Sequence, residues 1–364
     1  MATLTPTPLT KAIDSANGRL TTGAPTGSQI SRFGGDVVFL DNGNFVSVVQ
    51  DNSRIRTPNA DSTVATIFAP DGTVVKESWV VSEANIWSNL AAVKGGFVIR
   101  SGGLLYFYNN AGVQQGDPVD QSTSGESYDR GRGDGTRIAG HINSPYVFLT
   151  GKVSTGPVVR LSVWDSRTRT YVATADVSEG GFRGDFDRAN LAVDAYNNVV
   201  IGWVAKPDGY EQQQVATRVM TLDEASKSIK ALTASFLPFI NNSTVGGIRT
   251  LQMSLAMTTK QILIAAKGEI NLANKPAQGA DSPREINFYT VISHPNPQDY
   301  PAASGIAISG ITKNGANVTV QWTGGTPPFK VQKRSLVNSG SWTDAATTSE
   351  RTADRKSTRL NSSH

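Results

Sequence analysis

The chain of 364 residues contains no cysteine, which excludes disulfide scaffolds, zinc sites built on thiolates and cysteine nucleophiles. It contains three histidines, so a histidine-based triad or metal site has little material. No apolar run approaches the roughly 20 residues that a membrane-spanning helix needs, and we expect no transmembrane segment. The first eight residues have neither a basic segment nor an apolar core, so no signal peptide is visible.

Sequence motifs of common enzymes are also missing. The chain has no Gly-x-Ser-x-Gly elbow, no His-Glu-x-x-His, no P-loop and no dinucleotide fingerprint. These absences favour a protein that is not an enzyme.

The formal net charge of +4 would favour acidic partners if every residue belonged to the protein. The last eleven residues, 354–364, look like the translated read-through of a sequencing adapter; the alternative is a genuine basic tail. They hold three of the 34 Lys and Arg and one of the 30 Asp and Glu, so the remainder carries +2. A near-neutral chain gives no support to nucleic-acid binding, and we expect no such partner.

The residues that are abundant indicate a folded β protein. The chain is 38% hydrophobic and 18% charged, enough for an apolar core and too little charge for a self-repelling, disordered chain. Its 35 glycines, together with many Thr, Ser, Asn and Val, are typical of all-β proteins with tight turns. Residues 223–231 form the only short helix candidate.

One kind of unit recurs between residues 29 and 295. Each unit opens with a short apolar strand, a turn rich in Gly or Asn and a second apolar strand, as in residues 37–49. A second hairpin follows in most units, as in residues 65–75, where an Asp-Gly pair supplies the positive φ of a tight turn. Four short strands per unit are the pattern of a β-propeller blade.

The spacing of the units favours the same fold. The residues that open the second strand of each unit are 52, 49, 53 and 63 residues apart: Phe45, Phe97, Tyr146, Val199 and Ile262. Repeats of about 40–50 residues with four strands are typical of propellers. We therefore predict an all-β fold with a β-propeller of about five four-stranded blades; the alternative is a pair of β-sandwiches.

The C-terminal part has a different pattern. After a proline-rich stretch come a strand, a tight turn, a strand ending at Trp322, and then Pro327-Pro328-Phe329. This order resembles the small fibronectin type III-like domains at the C-termini of exported bacterial proteins. The resemblance implies an Ig-like or fibronectin-like β-sandwich, which is partial here because a complete one has about 100 residues.

The repeat region resembles bacterial extracellular β-propeller repeat proteins in general, without the signatures of WD40, sialidase or kelch blades. The resemblance implies an extracellular or cell-surface location. We predict five segments along the chain: an extended Thr/Pro/Ser-rich arm at 1–28, a propeller at 29–295, a linker at 296–304, a partial fibronectin type III-like domain at 305–353 and a non-native tail at 354–364.

Carboxylate side chains are the remaining candidates for catalysis or metal binding, and they are densest between residues 179 and 190. Asp185 and Asp187 in a glycine-rich stretch, together with Asn190, supply the hard oxygen ligands that Ca²⁺ prefers, and Ca²⁺ is the only cofactor suggested. Paired carboxylates also serve glycoside hydrolysis. The ordinary alternative is a solvated loop, with Asx turns and ion pairs to neighbouring arginines.

Two short surface motifs complete the candidates. Arg132, Gly133 and Asp134 form an Arg-Gly-Asp triplet, an adhesion candidate whose alternative is a charge-balanced insertion. Asn-x-Ser/Thr glycosylation sequons begin at three asparagines of the two predicted domains: Asn241, Asn242 and Asn317.

Two functional hypotheses follow. The first is a non-enzymatic extracellular structural or adhesive protein, a self-assembling subunit of a surface fibre or filament, whose partners are copies of itself or other surface proteins and glycans. The second is a carbohydrate-binding or carbohydrate-active propeller with its ligand at the axial face.

Overall fold

The structure is a computed structural model. It describes the following residues: 36–51, 62–83, 88–124, 136–154, 156–180, 182, 184–205, 214–239, 248–270, 285–299, 307–314, 317–323, 329–333, 343–348 and 352–356. The chain divides into two compact units, Met1–Pro297 and Gln298–His364.

The described residues of the first unit form five antiparallel sheets, in each of which the strands lie side by side in sequence order. Sheet 1 holds β1 (Asp36–Phe39), β2 (Phe45–Asp51), β3 (Ser62–Phe68) and β4 (Val74–Ser82). Sheet 2 holds β5 (Asn89–Val93), β6 (Gly96–Ser101), β7 (Leu104–Asn109) and β8 (Val119–Asp120), followed by a 3₁₀ turn at Gln121–Ser124.

Sheets 3 and 4 repeat this arrangement. Sheet 3 holds β9 (Arg137–Gly140), β10 (Tyr146–Lys152), β11 (Val159–Asp165) and β12 (Thr170–Asp176). Sheet 4 holds β13 (Gly184–Val193), β14 (Asn198–Ala205), β15 (Gln214–Asp223) and β16 (Ser228–Ala231). In sheet 5 the described residues form three strands: β17 (Ile248–Met257), β18 (Gln261–Ile270) and β19 (Glu285–Ser293).

The five sheets pack face to face in chain order. Separate apolar clusters join each sheet to the next, and each is anchored by fully buried side chains such as Phe97, Leu149, Trp203 and Ile264. The first strands of consecutive sheets also lie beside one another, β1 by β5, β5 by β9, β9 by β13 and β13 by β17. This serial packing around neighbouring first strands is the architecture of a β-propeller, and the predicted all-β fold with four-stranded sheets is confirmed.

The short helix predicted at 223–231 is wrong. β15 ends at Asp223, and β16 pairs with it in an antiparallel hairpin. The Asp223 carboxylate accepts hydrogen bonds from the N–H groups of Ala225 and Ser226, and Lys227 has a φ of 52°. A turn closed by Asp223, with a left-handed residue before β16, replaces the helix that the Glu, Ala and Lys residues suggested.

The two ends of the sheets differ in the length of their connections. At one end, the first-to-second and third-to-fourth strand connections have two to five residues, with 110–118 the exception. At the other end, connections within and between sheets have six to sixteen residues, with 102–103 the exception. We call these ends the short-turn rim and the long-connection rim.

The second unit contains two small antiparallel sheets. One holds β20 (Ala307–Asn314), β21 (Asn317–Thr323) and β24 (Thr352–Lys356), and the other holds β22 (Phe329–Lys333) and β23 (Thr343–Thr348). β24 crosses the predicted boundary between residues 353 and 354, pairing Asp354 with Thr319 and Lys356 with Asn317. The fibronectin type III-like assignment and the origin of residues 354–364 stay predictions.

Candidate functional site

Hydrogen bonds link consecutive hairpin turns along the short-turn rim. The Gly95 N–H in sheet 2 donates to Asp41 Oδ2 in sheet 1 over 2.7 Å. The Lys94 N–H donates to the Ser144 carbonyl of sheet 3 over 2.7 Å, and the Ser144 hydroxyl bonds Asn197 Oδ1 in sheet 4. Each turn therefore holds its neighbour, and sheets 1 to 4 are tied together at this rim.

A buried carboxylate and a buried imidazole make the last link of this rim. Asp194 Oδ2 in sheet 4 lies 3.4 Å from His294 Nε2, and both side chains are almost fully buried. Asp194 also accepts the Asn198 N–H at 2.9 Å and Asn198 Nδ2 at 2.8 Å. The His294 N–H donates to the Lys260 carbonyl, and its Nδ1 accepts the Asn296 N–H at 2.9 Å. Asp194 and His294 thus pack against each other where sheet 4 meets the end of sheet 5, without a hydrogen bond to Nε2.

Both histidines outside the C-terminal tail lie near this carboxylate. Burial lowers the pKa of His294 and of His141, and the negative charge of Asp194 opposes the shift in each case. His141 Nδ1 accepts the Asn143 N–H within its own turn. These contacts brace the turns, and they give the short-turn rim a structural role.

The long-connection rim carries a repeated polar position on the first strand of each sheet. A small apolar residue on the first strand of each of sheets 1 to 4 faces the next sheet; in order, these residues are Val38, Ala91, Ala139 and Ala192. The equivalent residue of sheet 5 is Ala256, which lies on the face turned away from sheet 4. Two residues closer to the long-connection rim, the strands carry Asp36, Asn89, Arg137, Asn190 and Ser254. We call these five residues the axial polar ring.

Two members of the axial polar ring bind the backbone of the next sheet. Asp36 Oδ2 accepts the Leu90 N–H at 3.1 Å, and Asn190 Nδ2 donates to the Met253 carbonyl at 3.1 Å. Burial raises the pKa of Asp36, while the Leu90 N–H and the positive charge of Arg137 act in the opposite direction. Asp36 belongs to sheet 1 and Arg137 to sheet 3, so this charge interaction reaches past sheet 2.

The other three members have polar groups that bond no described residue. Asn89 is 1% exposed, and its Oδ1 is buried without a hydrogen-bond partner. Within the described part of the chain, neither the Arg137 guanidinium nor the Ser254 hydroxyl makes a hydrogen bond or ion pair, and Ser254 is exposed. An amide carbonyl, a guanidinium and a hydroxyl therefore lie at equivalent positions on three different first strands.

The predicted acidic cluster is divided by the fold. Glu179 forms an ion pair with Arg218 at 2.7 Å and accepts the Ser235 N–H at 2.9 Å. Asp185 and Asp187 lie in strand β13, although the sequence suggested a loop, and their side chains are outside the described residues. Asn190 is the member that the structure places in the axial polar ring, so the predicted Ca²⁺ site stays a prediction.

Most of the remaining predicted site residues lie outside the described residues: Arg132, Gly133, Asp134, Asn241 and Asn242. Asn317 opens β21, where it pairs with Asn314 and Lys356. In the ranges that the structure describes, no three His, Cys, Asp or Glu residues are grouped to hold a metal ion. No helix in those ranges is long and apolar enough to cross a membrane.

The fold and the site together define an all-β propeller protein. Hydrogen bonds between turns brace its short-turn rim, and its long-connection rim carries the axial polar ring. No protein-family model matches the sequence, and no curated protein matches it.

Solved structures that resemble the chain include hydrazine synthase from Kuenenia stuttgartiensis, at 10% identity and a TM-score of 0.44, covering 82% of this chain and 77% of that one. The β-propeller domain of the Trilobed protease from Pyrococcus furiosus has 6% identity and a TM-score of 0.37, covering 79% of each chain. The GH93 α-L-arabinofuranosidase of Fusarium graminearum has 11% identity and a TM-score of 0.36, covering 85% of this chain and 79% of that one. With TM-scores below 0.5, these likenesses carry no argument about what this chain binds or does.

Proposed function

We propose that this protein binds carbohydrate at the long-connection rim of its propeller. The observation that carries the proposal is the axial polar ring, in which all five first strands present a polar side chain at one position. Carboxylate, carboxamide, guanidinium and hydroxyl groups suit a ligand rich in hydroxyls, because a hydroxyl both donates and accepts hydrogen bonds. A few convergent polar groups in a concave site are the usual basis of small-ligand recognition.

Binding is favoured over hydrolysis by the carboxyl content of the ring. Most glycosidases use a pair of carboxyl groups that flank the scissile bond. Asp36 is the one carboxyl group in the axial polar ring, and it already accepts a hydrogen bond from the Leu90 N–H. We therefore expect retention of glycans without their cleavage.

A glycan array followed by titration calorimetry tests this function. We expect saturable binding to at least one glycan class, and no release of reducing sugar when the same glycan is incubated with the protein. The matched control is Lys230→Ala, which removes an exposed ion pair at the short-turn rim and should leave binding unchanged. Failure of the folded protein to retain any glycan would contradict the proposal.

A second candidate function is a self-associating structural subunit of an extracellular fibre. Sheet 5 exposes apolar side chains on the face turned away from sheet 4, where Leu263, Tyr289 and Val291 are 40%, 75% and 51% exposed. β1 exposes Val37 and Phe39, at 58% and 68%. Contact between two such different faces on successive copies is heterologous, and heterologous contacts build filaments when they do not close into rings.

Light scattering across a concentration series tests self-association. We expect mass to increase with concentration for the native protein, and Tyr289→Asp to return it to a monomer. A Tyr289→Phe variant keeps the ring and should still associate. A strictly monomeric native protein at every concentration would rule this function out.

A further inference from the structure

The chain leaves sheet 5 through residues 294–297, which we call the exit turn; Pro297 is the last residue of the first compact unit. We propose that the His294 imidazole is a pH-sensitive latch on this turn. The neutral ring holds the exit turn closed, and the protonated ring moves towards Asp194 and releases it. The latch does not depend on carbohydrate binding, because it lies at the short-turn rim, at the end of sheet 5.

The exit turn has one buried side chain. Pro295, Asn296 and Pro297 are exposed, whereas His294 is 2% exposed. Proline has no N–H, so Asn296 supplies the only backbone donor that residues 295–297 contain. That N–H donates to His294 Nδ1 over 2.9 Å. The imidazole therefore takes the one main-chain hydrogen bond that this stretch can donate.

This hydrogen bond defines the protonation state of the closed turn. A backbone N–H can only donate, so Nδ1 is unprotonated and the neutral ring carries its proton on Nε2. Nε2 lies 3.4 Å from Asp194 Oδ2 and makes no hydrogen bond within the described part of the chain. Most N–H···O bonds are about 2.7–3.2 Å long. The closed turn thus satisfies Nδ1 and leaves the Nε2 proton just short of a carboxylate.

Protonation reverses both contacts. An imidazolium has a proton on each ring nitrogen, so Nδ1 can no longer accept the Asn296 N–H. Its positive charge attracts Asp194, and a small movement of the ring is enough for a charge-assisted bond of about 2.8 Å. The His294 N–H bond to the Lys260 carbonyl, at 2.9 Å, does not involve the ring. The end of β19 therefore stays in place while residues 295–297 are released.

The charged groups around His294 belong to three neighbouring turns. Asp194, in the turn after β13, acts electrostatically on His294 and also on His141, in the turn after β9. Lys260, in the turn after β17, has an exposed side chain. Burial lowers the pKa of His294 and the charge of Asp194 opposes the shift, so the ring is neutral at neutral pH. The latch opens as the pH falls below the ordinary histidine pKa of about 6.5.

His141 repeats the same turn in a different setting and provides an internal control. Its Nδ1 accepts the Asn143 N–H at 3.2 Å, again from the residue two positions on. This turn is held at both ends, since it joins β9 to β10 of one antiparallel hairpin. Protonation of His141 should therefore leave the exit turn closed.

Nuclear magnetic resonance on the full chain labelled with nitrogen-15 tests the latch. The three histidines give few ring signals, and His141→Asn and His294→Asn assign them. A titration from about pH 8 to about pH 5 follows the His294 ring nitrogens and the solvent exchange of the Asn296 amide, corrected for the intrinsic pH dependence of exchange. Circular dichroism at each pH records whether the protein stays folded.

At pH 8 we expect a bare Nδ1 and a protected Asn296 amide. Protection should fall about tenfold with the midpoint of the His294 titration, while circular dichroism stays constant. His294→Asn keeps an acceptor that does not titrate, so its Asn296 amide should stay protected throughout. Asp194→Asn removes the attracting charge and should lower the His294 midpoint by about one pH unit, and His141→Asn should change neither readout.

Four results would overturn the latch. Titration of His294 with constant Asn296 exchange would show that the ring does not hold the turn. The native pH response in His294→Asn would assign the release to another group. An unchanged midpoint in Asp194→Asn would remove Asp194 from the mechanism, and a His294 that stays neutral until circular dichroism reports unfolding would leave no latch at all.

Discussion

The two rims of the propeller carry similar polar residue types but differ in how these side chains are hydrogen-bonded. At the short-turn rim, Asp194, Asn197 and Ser144 are committed to backbone and side-chain partners in their own or the neighbouring turn. At the long-connection rim, Asn89 and Arg137 keep polar atoms without partners among the described residues. If the proposed function is right, substitutions at the short-turn rim should mainly affect stability, and substitutions at Arg137 should mainly affect ligand binding.

This difference between the rims predicts how substitutions affect the free energy of unfolding and the ligand affinity. Changes at the short-turn rim should lower the free energy of unfolding and leave ligand affinity unchanged. Changes at Arg137 and Ser254 should do the opposite, because neither side chain holds a neighbouring sheet, unlike Asp36 and Asn190.

The largest effect is expected for Asp194→Ala. The substitution leaves the Tyr196 N–H, the Asn198 N–H and Asn198 Nδ2 without their acceptor at a largely buried position, so we expect a loss of about 3 kcal/mol in the free energy of unfolding. Urea unfolding measures it. Asp71→Ala is the control, because Asp71 caps an exposed turn at the same rim and should cost much less. Equal losses for both variants would contradict a buried brace.

A smaller effect is expected where sheets 2 and 3 approach closely at this rim. A Cβ at Gly140 would stand 2.4 Å from the Ala92 carbonyl oxygen, so Gly140→Ala should cost about 1–3 kcal/mol of unfolding free energy. Gly156→Ala, in a connection at the other rim, meets nothing within 4 Å and should cost nothing measurable. Thermal unfolding of the two variants compares the rims directly, and a larger loss for Gly156→Ala would reverse our ranking.

The pH dependence of stability should reveal the same brace. The pKa of His294 and of His141 is lowered in the folded protein, so the unfolded chain binds more protons near its ordinary pKa of about 6.5. Stability should therefore be full above about pH 7 and fall as the pH drops towards 5, by at most about 1.4 kcal/mol per pH unit for each histidine. Urea unfolding at a series of pH values measures the slope.

His294→Asn is the variant that assigns this slope. Asparagine keeps an acceptor for the Asn296 N–H but does not titrate, so the slope should become shallower. His141→Asn should flatten it in the same direction. A slope that is unchanged in both variants would show that other groups control acid stability.

The smallest effect on stability is expected for the axial polar ring. Arg137→Gln should change the free energy of unfolding by less than about 0.5 kcal/mol, because the guanidinium makes no hydrogen bond to a described residue. A loss as large as that of Asp194→Ala would mean that both rims are structural.

Much of the fold could be predicted from local patterns. The apolar first and second strands with their Gly- or Asn-rich turns were visible because each hairpin is encoded by neighbouring residues. The fourth strands were harder to predict, since β8 has two residues and β16 has the polar sequence Ser-Ile-Lys-Ala. Their pairing depends on the adjacent strand, and the helix-forming residues before β16 predicted a helix where the structure has a hairpin turn.

The candidate site was missed for a different reason. A polar residue, an aliphatic residue and then Val or Ala recurs at 36–38, 89–91, 137–139, 190–192 and 254–256. This repeat does not stand out when the units are compared by their second strands. The turns between vary in length, so Val38 pairs with Val46, eight residues on, while Ala139 pairs with Phe148, nine residues on.

The Asp194–His294 contact lay beyond sequence reasoning altogether. The two residues are 100 positions apart, and only the packing of sheet 4 against sheet 5 brings them to 3.4 Å. The predicted propeller at 29–295 includes His294, but no local pattern indicates that its side chain is buried against sheet 4.

Hydrogen exchange with and without the best-bound glycan tests the separation of the two rims most directly. We expect slower exchange at the residues that open β1, β5 and β9, including the Leu90 amide, and unchanged exchange in the turns at 40–44, 141–145 and 194–197. Protection confined to those turns, with the starts of the first strands unaffected, would contradict it.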